Sequence, residues 1–226
     1  MTQPSYANGI ATTPLLGETI GENLARTTAR LPEADALVDV PSGRRWTYAQ
    51  LSTDVEQVAR GLLARGVEKG DRVGIWAPNV PEWVITQYAT ARIGAILVNI
   101  NPAYRSHELE YVLRQAGVRT LVSAERLKTS DYRAMVEEVR HATPALRDVV
   151  FIGTDDWADL IAGGQRVGAD DLAAREATLA FDDPINIQYT SGTTGFPKGA
   201  TLSHHSILNN GFNVAETQRW TDADRV

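Results

Sequence analysis

The segment YTSGTTGFPKG, residues 189–199, gathers three glycines, four serine or threonine hydroxyls and one lysine in a single stretch. Residues of these types at this spacing suit the holding of an anion. Glycine lets the backbone turn sharply and leaves N–H groups bare, so that several can converge on phosphate oxygens. Gly192, Thr193, Thr194 and Gly195 would supply such amides, and Thr190, Ser191, Thr193 and Thr194 would add hydroxyl donors. Lys198 brings a positive charge suited to neutralising a polyphosphate, and Pro197 stiffens the segment that presents it. The competing reading is a hairpin connection in which glycine and threonine merely form the turn. A preceding strand, a hydroxyl cluster, regular glycines and a Pro-Lys-Gly exit together favour the anion site.

The loop is not a Walker A sequence. That pattern places lysine directly after its second glycine, follows it with Ser or Thr, and then enters a helix. Here Phe196 and Pro197 separate Gly195 from Lys198, Gly199 follows, and the next residues read as a strand. No helix N-terminus is aimed at the phosphate in the P-loop manner.

A grip of this kind needs a rigid frame, and the chain of 226 residues has the apolar content to build one. A net charge of -6 argues against non-specific nucleic-acid binding, which needs a basic surface. The absence of cysteine excludes disulfides, thiolate zinc sites and a cysteine nucleophile. No basic region followed by an apolar run marks a signal peptide, and no stretch approaches a membrane span. A cytoplasmic protein without a transmembrane segment is the expectation.

Along the chain, strand and helix patterns alternate. Residues 1 to about 20 read as a lead-in, a short helix follows from Ile20, and LPEADALVDV reads as a strand. Tyr48, Leu51, Val55, Val58 and Leu62 mark one helix face, with Thr47 and Gln50 as a capping box and Gly66 at its end. VGIWA, AILVNI, VRTLVS and DVVFIG are short apolar runs that lack polar alternation. Between them lie helices over PNVPEWVITQYATARIG, after a Ser106 cap, and over DYRAMVEEVRHA. Such alternation implies a doubly wound, largely parallel α/β sheet with helices on both faces. Residues 153–182 read as a connection with helical candidates at 157–161 and 171–177. INIQYT restarts the sheet, GATLS adds a strand, and Ser203 caps a last helix. The division expected is a doubly wound subdomain over residues 1–180 and the start of a second, incomplete one over 181–226.

Other candidates favour bland roles. His204 and His205 suit packing or capping, His107 and His141 suit solvated helix surface, and the four have no metal-ligand spacing. Trp46, Trp76 and Trp83 sit among apolar neighbours and read as core. The pairs Asp155-Asp156, Asp170-Asp171 and Asp182-Asp183 read as solvated loop charge.

YTSGTTGFPKGATLSH resembles the phosphate-binding signature of the adenylate-forming, or AMP-binding, enzymes, which include acyl-CoA synthetases, luciferases and peptide-synthetase adenylation domains. RWTYAQLSTDVEQVARGL, VEKGDRVGIWAPNVPEW and GAILVNINPAYRSHELEYVL resemble earlier family segments in order and spacing, so the likeness runs from about residue 18 to the end. VNINPAYRSHEL is most similar to the fatty acyl-CoA synthetase branch. The resemblance implies an acid-thiol ligase that activates a carboxylic acid, in this branch a fatty acid, with ATP and passes the acyl group to coenzyme A. Thr190, Ser191, Gly192, Thr193, Thr194, Gly195 and Lys198 would contact the β- and γ-phosphates, with Lys198 stabilising the departing charge. Mg2+ would bridge phosphate oxygens, its protein carboxylate lying outside this chain. The family's adenine, ribose and catalytic-lysine segments have no match before the chain ends at TDADRV, so the expectation is an N-terminal fragment not competent alone. The alternatives are a non-catalytic nucleotide- or pyrophosphate-binding remnant, an interaction module, or adenylation that feeds a carrier-protein thiol.

Overall fold

The computed structural model describes residues 13–190 and 197–225. Its elements follow in chain order: α1 (Ile20–Arg30), β1 (Asp35–Asp39), β2 (Arg44–Thr47), α2 (Tyr48–Ala64), β3 (Arg72–Trp76), α3 (Pro81–Ile93), β4 (Ile96–Asn99), α4 (Ser106–Ala116) and β5 (Val118–Ser123). Then come β6 (Arg126–Leu127), β7 (Ser130–Asp131), α5 (Tyr132–Arg140), β8 (Asp148–Phe151), α6 (Asp155–Gly164), α7 (Ala169–Glu176), β9 (Pro184–Thr190), β10 (Lys198–Ser203) and α8 (His204–Gln218).

Local sequence explains most of these boundaries. Thr47 Oγ1 accepts the Gln50 N–H while Gln50 Oε1 accepts the Thr47 N–H, and this reciprocal cap starts α2. Leu51, Val55, Val58 and Leu62 then form its buried stripe. Pro81 occupies the first turn of α3, and Gly94 ends that helix at φ 71°, a conformation that only glycine adopts without cost. Ser106 departs from expectation. The cap of α4 is Arg105, whose N–H donates to Glu108 Oε2 at 3.1 Å, and Ser106 is already helical, its hydroxyl donating to Glu138.

Six strands form the main sheet in the order β10-β9-β4-β3-β5-β8. Five run parallel, and β10 returns antiparallel beside β9. The connections β3→β4 and β8→β9 step toward the β10 edge, and their helices α3, α6 and α7 share one face with α2. The connections β4→β5 and β5→β8 step the other way, and α4 and α5 cover the opposite face. Right-handed crossovers require this sorting. Adjacent strand residues therefore enter different cores, Leu97 beneath α2 and α3 and Val98 beneath α4 and α5, which is why these strands are apolar throughout. The strand in LPEADALVDV exists as β1, but it pairs with β2 in a separate two-stranded sheet. Residues on both sides of position 180 contribute strands to the one six-stranded sheet.

Two packing features carry consequences. Helices α2 and α6 meet backbone to backbone, because a Cβ on Gly164 would lie 2.8 Å from the Gly61 nitrogen and 3.0 Å from the Gln57 carbonyl oxygen. At the other end of the domain, His204 Nδ1 accepts the Ile20 N–H at 3.2 Å, tying the first turn of α8 to the first turn of α1. His204 is fully buried, and burial pushes its imidazole down to about 4 despite the neighbouring Asp183 and Glu22 carboxylates.

Helix propensity alone would make Gly164→Ala stabilising by up to ~1 kcal/mol. The contact geometry predicts the reverse, a loss of about 1–3 kcal/mol in denaturant unfolding through overpacking. For His204 the sign also follows. The unfolded imidazole takes up its proton near pH 6.5, whereas the folded one resists until about 4. Stability should therefore fall as pH drops from 6.5 toward 4.5, by up to ~1.4 kcal/mol per pH unit. His204→Gln, which keeps an acceptor for Ile20, should flatten the melting temperature across that window.

Candidate functional site

Strand β9 runs parallel to β4 in the register Leu97↔Asn186 and Asn99↔Gln188, so Thr190 lies at the carboxyl end of the parallel strands. Open α/β sheets bind ligands at that end. Strand β10 begins directly opposite, with Lys198 paired to Thr190. The entry and exit of the loop are thus held as one cross-strand pair, and Thr190 Oγ1 donates to the Lys198 carbonyl oxygen at 3.4 Å. Of the expected phosphate-binding residues, Thr190 and Lys198 are brought together at the sheet edge. Ser191, Gly192, Thr193, Thr194 and Gly195 lie outside the described residues.

Paired residues share a face of the sheet, so Lys198 and Thr190 point to one side and Gly199 and Tyr189 to the other. Gly199 permits close packing there. A Cβ at that position would lie 2.9 Å from Ile187 Cγ2 and 3.4 Å from the Tyr189 ring. The Tyr189 hydroxyl donates to Gln115 Oε1 at 2.8 Å, and burial, reinforced by the Tyr111 and Tyr104 phenols, pushes its pKa up to about 12. It stays a neutral donor at any physiological pH. The Tyr111 hydroxyl donates to the carbonyl oxygen of Pro197 at 3.1 Å, the residue that leads into Lys198.

Two lysines stand at opposite ends of β9 and differ in commitment. Lys69 is occupied: its ammonium lies 2.7 Å from Asp183 Oδ2 and donates to the Thr178 carbonyl oxygen at 2.8 Å. That pairing, with the Ala180 N–H, holds the Asp183 carboxyl below its usual range although burial opposes it. Lys198 is exposed, and among the described residues no ion pair includes it. An exposed cation beside a hydroxyl at a sheet's carboxyl end can attract and neutralise an anion without first breaking another contact.

The remaining candidates sort as packing or surface. His204 is core, and His205 lies against Phe181 with ring centres 5.5 Å apart. His107 and His141 are exposed on or beside helices. Trp46 and Trp76 are buried and Trp83 is half-buried; Trp76 stacks on Tyr132 at 3.6 Å. Among the described residues no three His, Asp or Glu side chains converge as a metal site, so these residues do not by themselves fit a bound Mg2+. Sequence reasoning passed over Tyr111 and Gln115. Their spacing of four on α4 was a visible signal, but only the placement of α4 against β9 shows what the pair touches.

Comparison with known proteins agrees with this geometry. The family model described as "AMP-binding enzyme" matches residues 24–226. A zebrafish (Danio rerio) protein named as a mitochondrial medium-chain acyl-CoA ligase is 42% identical, over 92% of this chain and 37% of its own length. The human (Homo sapiens) protein of that name is 43% identical, over 91% of this chain and 37% of its own. The chain thus spans less than half the length of these curated relatives. Among solved structures, a Mycobacterium tuberculosis fatty acyl CoA synthetase superposes with a TM-score of 0.74 at 28% identity, covering 88% of this chain and 37% of that one. The vertebrate relatives are named as mitochondrial, which overturns the cytoplasmic expectation: an absence of cysteine and of a visible leader carries no information on compartment. Among the described residues no helix is long and apolar enough to cross a membrane. With a family model covering nearly all of the sequence, and the loop's two ends placed where an open α/β sheet binds ligands, the chain belongs to the AMP-binding enzymes.

Proposed function

We propose that this chain supplies the diphosphate grip of an ATP-dependent acyl-CoA ligase acting on a fatty or other hydrophobic carboxylic acid. The observation that carries the reading is the Thr190–Lys198 pair at the carboxyl end of the sheet, with the lysine exposed and outside the ion pairs of the described residues. The names of the relatives, a medium-chain acyl-CoA ligase and a fatty acyl CoA synthetase, support the acid class and coenzyme A as the acceptor.

A carboxylate is a poor acyl donor because its charge repels nucleophiles and its leaving group is bad. In the first half-reaction a carboxylate oxygen bonds to the α-phosphorus of ATP and the α–β bridging bond breaks, releasing pyrophosphate. The thiol of coenzyme A then attacks the acyl carbon, gives up its proton and expels AMP. Negative charge builds on the departing pyrophosphate in the first step. Preplaced donors at that position lower the barrier because they need no reorganisation when the charge appears. In this reading Lys198 neutralises that charge, and Thr190, Ser191, Gly192, Thr193, Thr194 and Gly195 orient the β- and γ-phosphates. Mg2+ belongs to the same reading through the family resemblance, and no step here is routed through it.

Pyrophosphate titrated into the chain by calorimetry should bind, and Lys198→Ala should weaken binding by about tenfold or more, as expected for a lost charge-assisted contact. In a longer protein that contains this chain and catalyses carboxylate-dependent ATP–pyrophosphate exchange, the same substitution should lower that exchange by ~100-fold. A folded Lys198→Ala protein that binds and exchanges as the wild type does would contradict the assignment.

A further inference from the structure

We propose that Tyr111 is a positioning residue for Lys198, acting through the peptide unit that joins Pro197 to it. The inference rests on the diphosphate-grip reading above and deepens it. Four observations converge. The Tyr111 hydroxyl donates to the Pro197 carbonyl oxygen at 3.1 Å, so the peptide plane entering Lys198 is held from the α4 side. The proline ring restricts the other end of the same residue, with φ near about -65°. One turn further along α4, Gln115 accepts the Tyr189 hydroxyl at 2.8 Å, so a single helix face braces both strands that border the loop. Gly199, where a Cβ would meet Ile187 and the Tyr189 ring, lets β10 lie flat against that brace.

The order of the contacts matches the path of the chain. Helix α4 runs back from the carboxyl end of β4, so Tyr111 stands nearer the ligand end than Gln115 does. Correspondingly, Tyr111 meets the loop exit and Gln115 meets a residue inside β9. Lys198 has a flexible four-carbon stem and, among the described residues, no partner to fix its head. Its reach toward a phosphate is set by where its backbone starts, and the Tyr111 hydrogen bond fixes that start. A hydroxyl held this way loads no charge near the anion and needs no proton transfer. Its contribution is a narrower set of lysine positions, and hence less freedom lost when pyrophosphate binds.

The test is pyrophosphate binding by calorimetry to the wild type, Tyr111→Phe, Lys198→Ala and the double variant. Tyr111→Phe should weaken binding by about three- to tenfold, the scale of one net hydrogen bond. In the Lys198→Ala background the same change should have no further effect, because the residue acts through the lysine. An equal loss in both backgrounds would mean a general structural role and would overturn the proposal. So would unchanged affinity in Tyr111→Phe where Lys198→Ala binds weakly. If Lys198→Ala itself binds as the wild type does, it is the grip reading that fails, and the proposal falls with it. A second measurement covers a Tyr111→Phe protein that does not fold. Trifluorotyrosine placed at 111 has a hydroxyl that ionises near neutral pH, so its pyrophosphate affinity should fall across that range relative to the wild type. Parallel pH profiles for the two proteins would sink the idea.

Discussion

The loop can grip a ligand only if its two ends are fixed relative to each other and to the sheet, and strand β9 meets both demands. It is locked between β4, with which it runs parallel, and β10, with which it forms an antiparallel pair that closes at Thr190 and Lys198. Its start is pinned by the Lys69–Asp183 ion pair and by the His204 N–H donating to the Asp183 carbonyl oxygen. Buried backbone must be hydrogen-bonded, so a strand flanked on both sides has little freedom to shift register. The chemistry at one end of β9 is therefore positioned by packing at the other.

Electrostatics completes what geometry begins. Lys69 spends its charge on structure, on a carboxylate and a carbonyl, while Lys198 stands in solvent at the carboxyl end of β9. Around the loop exit α4 contributes the Tyr111 hydroxyl, which donates to the Pro197 carbonyl oxygen, and the Gln115 amide oxygen, which accepts from the Tyr189 hydroxyl. The Tyr189 hydroxyl has a pKa raised by burial, so it remains a neutral donor. The Tyr111 contact fixes the backbone at Pro197 through a hydrogen bond rather than an ion pair. That division of labour fits a site in which one lysine must meet the largest charge.

Much of this was legible in the residues. The Thr47–Gln50 cap, the stripe from Leu51 to Leu62 and the glycine at 94 each have a local cause, and the structure repeats them. The apolar strands announced a sheet covered on both faces. What escaped has non-local causes. That β1 and β2 stand apart from the main sheet, and that β10 runs antiparallel beside β9, depend on pairing partners. The α4 cap falls at Arg105, and Ser106, already helical, donates its hydroxyl to Glu138, 32 residues away. Tyr111 and Gln115 stand one turn apart on α4, but nothing in a helical pattern says which strand will lie beneath them.

The central claim is that Lys198 faces the outgoing diphosphate. The chain has three lysines, at 69, 128 and 198, and this makes a direct measurement possible. An ATP analogue carrying a lysine-reactive acyl group on its terminal phosphate can be added and the modified residue mapped by mass spectrometry. The account predicts labelling at Lys198, suppressed by excess pyrophosphate, with Lys69 and Lys128 left largely unmodified. Labelling spread evenly over the three, or labelling at Lys198 that pyrophosphate does not suppress, would contradict it.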